Sequence, residues 1–295
     1  MRLGSSSWTD PTLTRSTFYP KKSLSAEERL RHYAALFPLV EVDSTYYRLP
    51  SVRNSELWVE RTPASFLFNI KAFGLLTQHP VDMVALPPDL HPEVAPEHRD
   101  KKRVYLDHLS NDGRAEVWRL FLSALEPLRA ADRLGCLLFQ FPTWLPRSIR
   151  NREYIATCVR DAAPDRVAVE FRHGTWMKED RVEHTLQFLE SIGASYVAVD
   201  EPQGFASSIP AVAPVTTDLA MVRFHGRNAE TWTTRVSTAA ERFKYDYGVE
   251  ELAEWVPRIA KMAEKSKEIH VLFNNCYADY GVRNAASLAA LLQEE

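Results

Sequence analysis

The residues with the clearest chemical potential are carboxylates and cations that close short apolar runs. Glu170 ends Val167-Ala168-Val169, and Asp200 ends Tyr196-Val197-Ala198-Val199. Two carboxylates at the ends of neighbouring strands raise each other's proton affinity, which separates an acid from a base. Glycoside hydrolysis uses such a pair. Arg172 and Arg223 act against this separation, because a nearby cation holds a carboxylate ionised. The expectation is that Glu170 and Asp200 are base and acid, with His225 as proton carrier because imidazole titrates near neutrality. His173, just after Arg172, is a second histidine suited to that task.

The cations form a set of their own. Lys71, Arg172 and Arg223 close apolar runs, and Arg48 and Arg227 follow in loops. The guanidinium fork and the ammonium point charge both suit phosphate or carboxylate. Lys plus Arg is 36 against 39 Asp plus Glu, a net charge of −3, so cations gathered at one place suggest an anionic ligand. A phosphate ester or sugar phosphate is the first expectation. The competing reading is mutual neutralisation with Glu41, Asp43, Glu170 and Asp200 in an ion-pair network. Lys71 could also form a Schiff base if desolvated, although acidic neighbours oppose the lowered pKa that this needs.

Around these lie groups suited to orienting a substrate: Asp43, Gln140, Asn274 and Asn275. Tyr46 and Trp232 belong to an aromatic rim that could stack on sugars or nucleobases. Glu170, Asp200 and His225 are the ligands a divalent metal would take. No H-x-H or H-E-x-x-H spacing supports such a site, so none is assigned. There is no G-x-G-x-x-G or Walker A motif, and no nucleotide cofactor is expected. Cys136, Cys158 and Cys276 are far apart, without a C-x-x-C pair, which argues against a zinc knuckle or redox dithiol and fits a reducing compartment.

Something must hold these groups together, and the runs themselves supply it. Leu3–Ser7, Leu39–Ser44, Phe66–Lys71, Leu134–Gln140, Val167–Arg172, Tyr196–Asp200, Ala220–His225 and Ile269–Asn275 make eight candidate strands. Helical periodicity lies between most of them. Ser25-Ala26-Glu27-Glu28 is a capping box opening a helix through Leu30, Tyr33, Ala34 and Phe37. Asp180 to Glu183 opens another, Leu252 to Ala263 forms a stripe, and a last helix is expected from about Asn284 to Leu292. Eight strands alternating with helices predict a single α/β domain over 1–295, a (β/α)8 TIM-barrel-like fold with a closed parallel barrel. The stretch 83–111, rich in proline and charge, reads as an insertion after strand three, either a mobile surface loop or a lid. Alternation along each strand then sends apolar residues outward to the helices. It sends Glu41, Asp43, Asn69, Lys71, Gln140, Glu170, Arg172, Asp200, Arg223, His225 and Asn274 inward. Most of these sit at the C-terminal mouth, where barrel enzymes keep their chemistry.

The segments Asp43-Ser44-Thr45-Tyr46-Tyr47-Arg48-Leu49-Pro50, Leu134 to Pro142, Val169-Glu170-Phe171-Arg172-His173, Arg223-Phe224-His225-Gly226-Arg227 and Phe273-Asn274-Asn275-Cys276 occur in order. Together they resemble the domain of unknown function 72 family (YecE-like), from about Gly4 to Leu292. The resemblance implies a TIM-barrel-like fold and no established reaction. The chain departs from the family pattern in carrying Asp43 where Asn is usual, and Ser7 where Gly often precedes the tryptophan.

The functional expectation is an acid–base or hydrolytic enzyme, of hydrolase or isomerase type, acting on a small anionic molecule at the barrel mouth. The alternatives are a nucleic-acid-processing barrel and a non-catalytic ligand-binding protein. No run of 18 apolar residues and no N-terminal apolar segment occur, so a cytoplasmic protein without membrane contact is expected. The oligomeric state is not legible.

Overall fold

The structure is a computed structural model, and it describes residues 1–234 and 238–293. Each of the eight apolar runs forms one strand: β1 (Arg2–Ser6), β2 (Leu39–Val42), β3 (Leu67–Lys71), β4 (Leu134–Gln140), β5 (Val167–Glu170), β6 (Ala194–Asp200), β7 (Leu219–Phe224) and β8 (Glu268–Phe273). They close a barrel in sequence order, β8 pairing with β1, and every pairing is parallel. The fold is the expected (β/α)8 barrel. Closure is tightest where β1 meets β2: a Cβ added to Gly4 would lie 2.0 Å from the Leu39 carbonyl oxygen, so only glycine lets the two backbones approach.

The strands are buried on both faces, β2 and β6 along their whole length. Such strands carry apolar residues in and out, and pairing decides which is which. Residues side by side in a parallel ladder share a face. Glu41 lies beside Asn69, Gln140 beside Glu170, Val199 beside Arg223, and Asp200 beside Phe224.

The helices follow the sequence signals with two differences. Ser25 and Glu28 cap Ala26–Leu36 reciprocally, with Leu30, Tyr33 and Ala34 buried. The stripe from Leu252 to Ala263 is two helices, Val249–Ala253 and Val256–Ala263, because Pro257 starts a new helix and donates no backbone hydrogen bond. The last helix begins earlier than expected, at Tyr280. Among the described residues no helix is long and apolar enough to cross a membrane.

The excursion after β3 is not a structureless loop. Val81–Asp82 and Arg103–Val104 pair as an antiparallel ribbon, Val94 bridges Leu109, and Leu86, Leu90, Val94, Val104 and Leu109 are buried. Those apolar residues give the proline-rich stretch a small core continuous with the main one.

Candidate active site

The floor of the mouth is a buried ion network centred on Arg223. Its guanidinium binds both Glu41 oxygens, Nε to Oε2 at 2.9 Å and Nη2 to Oε1 at 2.6 Å, and donates through Nη1 to Glu170 Oε2. All three side chains are fully buried. The other Glu170 oxygen accepts from Gln140 Nε2 at 2.6 Å, from His225 Nε2 at 2.9 Å and from Arg172 Nη1 at 3.3 Å. Burial alone would favour the neutral acid, but the Arg223 and Arg172 cations outweigh it and hold the Glu170 carboxyl well below the usual carboxylate range. With four donors on two oxygens, Glu170 is a fixed anion and a positioning group.

His225 is part of that scaffold. Burial pushes its pKa down to about 3, against the pull of Glu170, so the ring is neutral at physiological pH. A neutral imidazole carries one hydrogen. Nε2 must donate it to the carboxylate, which leaves Nδ1 to accept from Asn274 Nδ2 at 3.0 Å. Both nitrogens are occupied, so the expected proton carrier is instead a neutral strut. Gln140 and Asn274, expected to orient a substrate, hold Glu170 and His225.

Above this floor the groups are less completely paired. Lys71 lies with Nζ 4.7 Å over the Tyr46 ring, and among the described residues it makes no ion pair. Burial and the Arg223 charge lower its pKa. Asp43 is pushed up by burial, with Lys71 acting against the rise. Arg172 sits 4.6 Å over the face of Trp232, which brings both expected residues to the mouth. Arg48 is exposed on the loop after β2 and unpaired among the described residues. His173 spends Nδ1 on capping the turn Gly174–Trp176, where it accepts from the Thr175 backbone at 3.3 Å and faces its hydroxyl at 2.8 Å.

Two mouth residues escape the sequence reading. The first is Glu201. Its side chain is fully buried; Oε1 accepts from the Ile209 backbone at 2.8 Å, while Oε2 stands 3.3 Å from Arg172 without a hydrogen bond. Burial pushes this carboxyl up to about 7, with Arg172 opposing. The second is His79, packed edge-on to Tyr46 at 5.1 Å and pushed down to about 3 by burial and by the Lys71 and Arg172 charges.

Three expected members are elsewhere. Asp200 faces the helices, not the bowl, because the pairing of Val199 with Arg223 turns the next residue outward. It accepts from Trp255 Nε1 at 2.7 Å, from the Tyr247 hydroxyl at 2.7 Å and from Arg227 Nη2 at 2.8 Å. Arg227 therefore also leaves the mouth, bridging Asp200 to Glu254. Asn275 donates to the Tyr245 carbonyl at 2.8 Å and to Asn284 Oδ1 at 2.7 Å, which ties the loop after β8 to the last helix. The metal set of Glu170, Asp200 and His225 does not assemble: the carboxylates lie on opposite sides of the sheet. Among the described residues no group of three or more His, Cys, Asp or Glu could hold an ion.

Because three donors converge on it, Asp200→Ala is expected to lower stability by about 3 kcal/mol. Urea denaturation checks this; a variant as stable as the wild type would show that the three contacts contribute little.

Comparison with known proteins gives a consistent picture. A family model described as "Protein of unknown function DUF72" matches residues 2–295. The chain is 29% identical over 297 residues to "UPF0759 protein YunF" of Bacillus subtilis (strain 168), covering 99% of this chain and 95% of that protein. A solved DUF72 family protein from Thermotoga maritima MSB8 is 31% identical with a TM-score of 0.76, over 99% of this chain and 98% of that one. Another, from Enterococcus faecalis V583, is 28% identical with a TM-score of 0.79, over 99% and 95% of the two chains.

Proposed function

We propose, for a chain that belongs to the DUF72 family of proteins of unknown function, that it is an acid–base enzyme whose barrel mouth takes a small anionic, polar substrate, a phosphate ester first. The observation that carries this reading is Glu201. A carboxyl pushed up to about 7 is divided between acid and base at neutral pH, the condition in which one group can both take and return a proton. Its oxygen facing Arg172 is buried and ion-paired at 3.3 Å yet accepts no hydrogen bond, so it keeps acceptor capacity for a substrate hydroxyl held at Arg172. In this reading Glu201 takes the role expected of Asp200, and Glu170 holds Arg172 and His225 in place.

The preference for an anion follows from the same geometry. Lys71 is unpaired among the described residues. Whenever Glu201 is protonated, Arg172 keeps only a share of Glu170. A phosphate oxygen would meet an ammonium and a guanidinium already stripped of much of their water, where charge-assisted hydrogen bonds are strong. No observation favours the nucleic-acid reading.

The test is a thermal-shift and calorimetric comparison of inorganic phosphate, glycerol 3-phosphate and glucose 6-phosphate with glycerol and glucose. The phosphates are expected to raise Tm and the neutral compounds to leave it unchanged. Lys71→Met should weaken phosphate binding by tenfold or more, about 1.4 kcal/mol. Equal shifts from glucose and its phosphate, or full affinity in Lys71→Met, would remove the anion reading.

A further inference from the structure

Most carboxyls of the strand ends are already committed. Glu41 and Glu170 are held by Arg223, and Asp200 faces the helices. Asp43 and Glu201 keep acceptor capacity at the mouth. Asp43 follows β2 and precedes the single helical turn Ser44–Tyr47, yet its side chain caps nothing there. Among the described residues it makes no ion pair. The backbone that carries it is fixed: the Thr45 hydroxyl donates to the Lys71 carbonyl at 2.6 Å, which ties the loop after β2 to the end of β3. Glu201 follows β6, and its Oε2 accepts no hydrogen bond.

The order of the strands sets these two acids across the bowl from one another. In a closed ring of eight, β2 and β6 are diametrically opposed. Each acid has a cation on its own side. Lys71 ends β3, the neighbour of β2, and its charge acts on Asp43. Arg172 lies 3.3 Å from Glu201. Both cations also act on His79, so they converge on the same part of the mouth. The other groups that act on or respond to Asp43 are Glu41, Asp10, Tyr47 and Cys276. For Glu201 they are Glu170, Asp200 and Tyr196.

Displacement at phosphorus runs with the attacking and leaving oxygens in line. A phosphoryl group held between two cations therefore needs a base on one side and an acid on the opposite side. We propose that Asp43 is the general base that takes a proton from the attacking water, with Glu201 the acid for the leaving oxygen, in the hydrolysis of a phosphate monoester held by Lys71 and Arg172. The inference rests on the anion reading above and narrows its acid–base chemistry to hydrolysis. The bond from the water oxygen to phosphorus forms as the bond from phosphorus to the ester oxygen breaks. The water proton goes to Asp43, and the Glu201 proton goes to the departing alkoxide. Alcohol and phosphate leave, and the two carboxyls return to their starting states by exchanging protons with solvent.

The experiment follows hydrolysis of glycerol 3-phosphate and 4-nitrophenyl phosphate by wild type and Asp43→Asn. Asparagine fills the same space, and circular dichroism confirms the fold. The variant is expected to lose about 10²–10⁴-fold in kcat, equally for both esters, because water must be activated whatever group leaves. Its thermal shift with inorganic phosphate should persist. Wild-type kcat/KM should rise with pH above the ordinary carboxylate value of 3.8, as Asp43 ionises, and fall near pH 7 as Glu201 loses its proton. Asp43→Asn should lose the rising limb and keep the falling one. In ¹⁸O-enriched water the label should enter phosphate and not glycerol. Full turnover in the variant, a rising limb that persists, a loss confined to glycerol 3-phosphate, or loss of phosphate binding would each overturn Asp43 as the base while the wild-type anion site stands. Phosphate bound by the wild type without turnover of either ester would overturn hydrolysis and leave the anion reading intact. If inorganic phosphate does not bind the wild type, the anion reading fails and this proposal falls with it.

Discussion

Arg223→Met is expected to lower the stability of the protein by about 3–5 kcal/mol, the cost of leaving buried charge without its partner. Glu41 and Glu170 both depend on this one guanidinium, and all three are fully buried. In a domain of this size the loss amounts to a Tm decrease on the order of 10 °C. The pH dependence identifies the cause. In the wild type Glu170 has a depressed folded pKa, so its contribution is present above the unfolded carboxylate pKa and is lost as pH falls through the folded value. In Arg223→Met the buried Glu170 carboxylate loses the largest charge that lowers its pKa and binds a proton more readily folded than unfolded, so stability rises as pH falls from 8 to 5. Urea denaturation at several pH values measures both slopes. Arg223→Lys retains the charge but cannot match Glu41 bidentately, and should fall between the two. A methionine variant as stable as wild type, with an unchanged slope, would show that the network contributes little.

Glu201→Gln is expected to reduce turnover of the best substrate from a phosphate-ester panel by 10²–10⁴-fold, the range for loss of a general acid–base group. The wild-type rate should show an inflection near pH 7, where Glu201 is pushed, and the variant should not. Stability gives a readout independent of any substrate. Because the folded pKa lies above the ordinary carboxylate value of 4.5, the folded state holds the proton more tightly. The stability this contributes is full below the unfolded pKa and is lost as pH rises from about 4.5 to about 7, a change on the order of 3 kcal/mol. Glutamine removes that slope. Carboxyl carbon NMR of the wild type would locate the titration directly; a Glu201 resonance titrating near the ordinary carboxylate value would end its assignment as acid and base.

The barrel was legible because each strand is a compact apolar run with a polar end, and eight such runs with helices between them admit few other architectures. Glu41, Lys71, Gln140, Glu170, Arg172, Arg223, His225 and Asn274 reach the interior as alternation predicts. Alternation failed at β6 for a reason inherent in doubly buried strands. Val197, Ala198 and Val199 are apolar whichever way they face, so parity within the strand is undetermined. Only the lateral pairing with Arg223 fixes it, and one sequence does not reveal lateral pairing. The acidic doublet Asp200-Glu201 was the available signal, since either parity puts one carboxylate at the mouth. His79 lay beyond reach because it follows a short 3-10 turn, where no periodicity indicates direction. Arg227 and Asn275 looked like ligand-binding groups because residue type alone does not distinguish a side chain that meets a substrate from one that secures a loop.

The Asp200–Glu201 doublet also acts as a vernier for the machine. Successive carboxylates project to opposite sides of one wall, the first gripped by Trp255, Tyr247 and Arg227, the second aimed at Arg172. Sliding the stave by a single residue would exchange them, sending the shorter acid inward and the longer one into a socket cut for its neighbour. The grip outside therefore fixes the register in which Glu201 reaches Arg172.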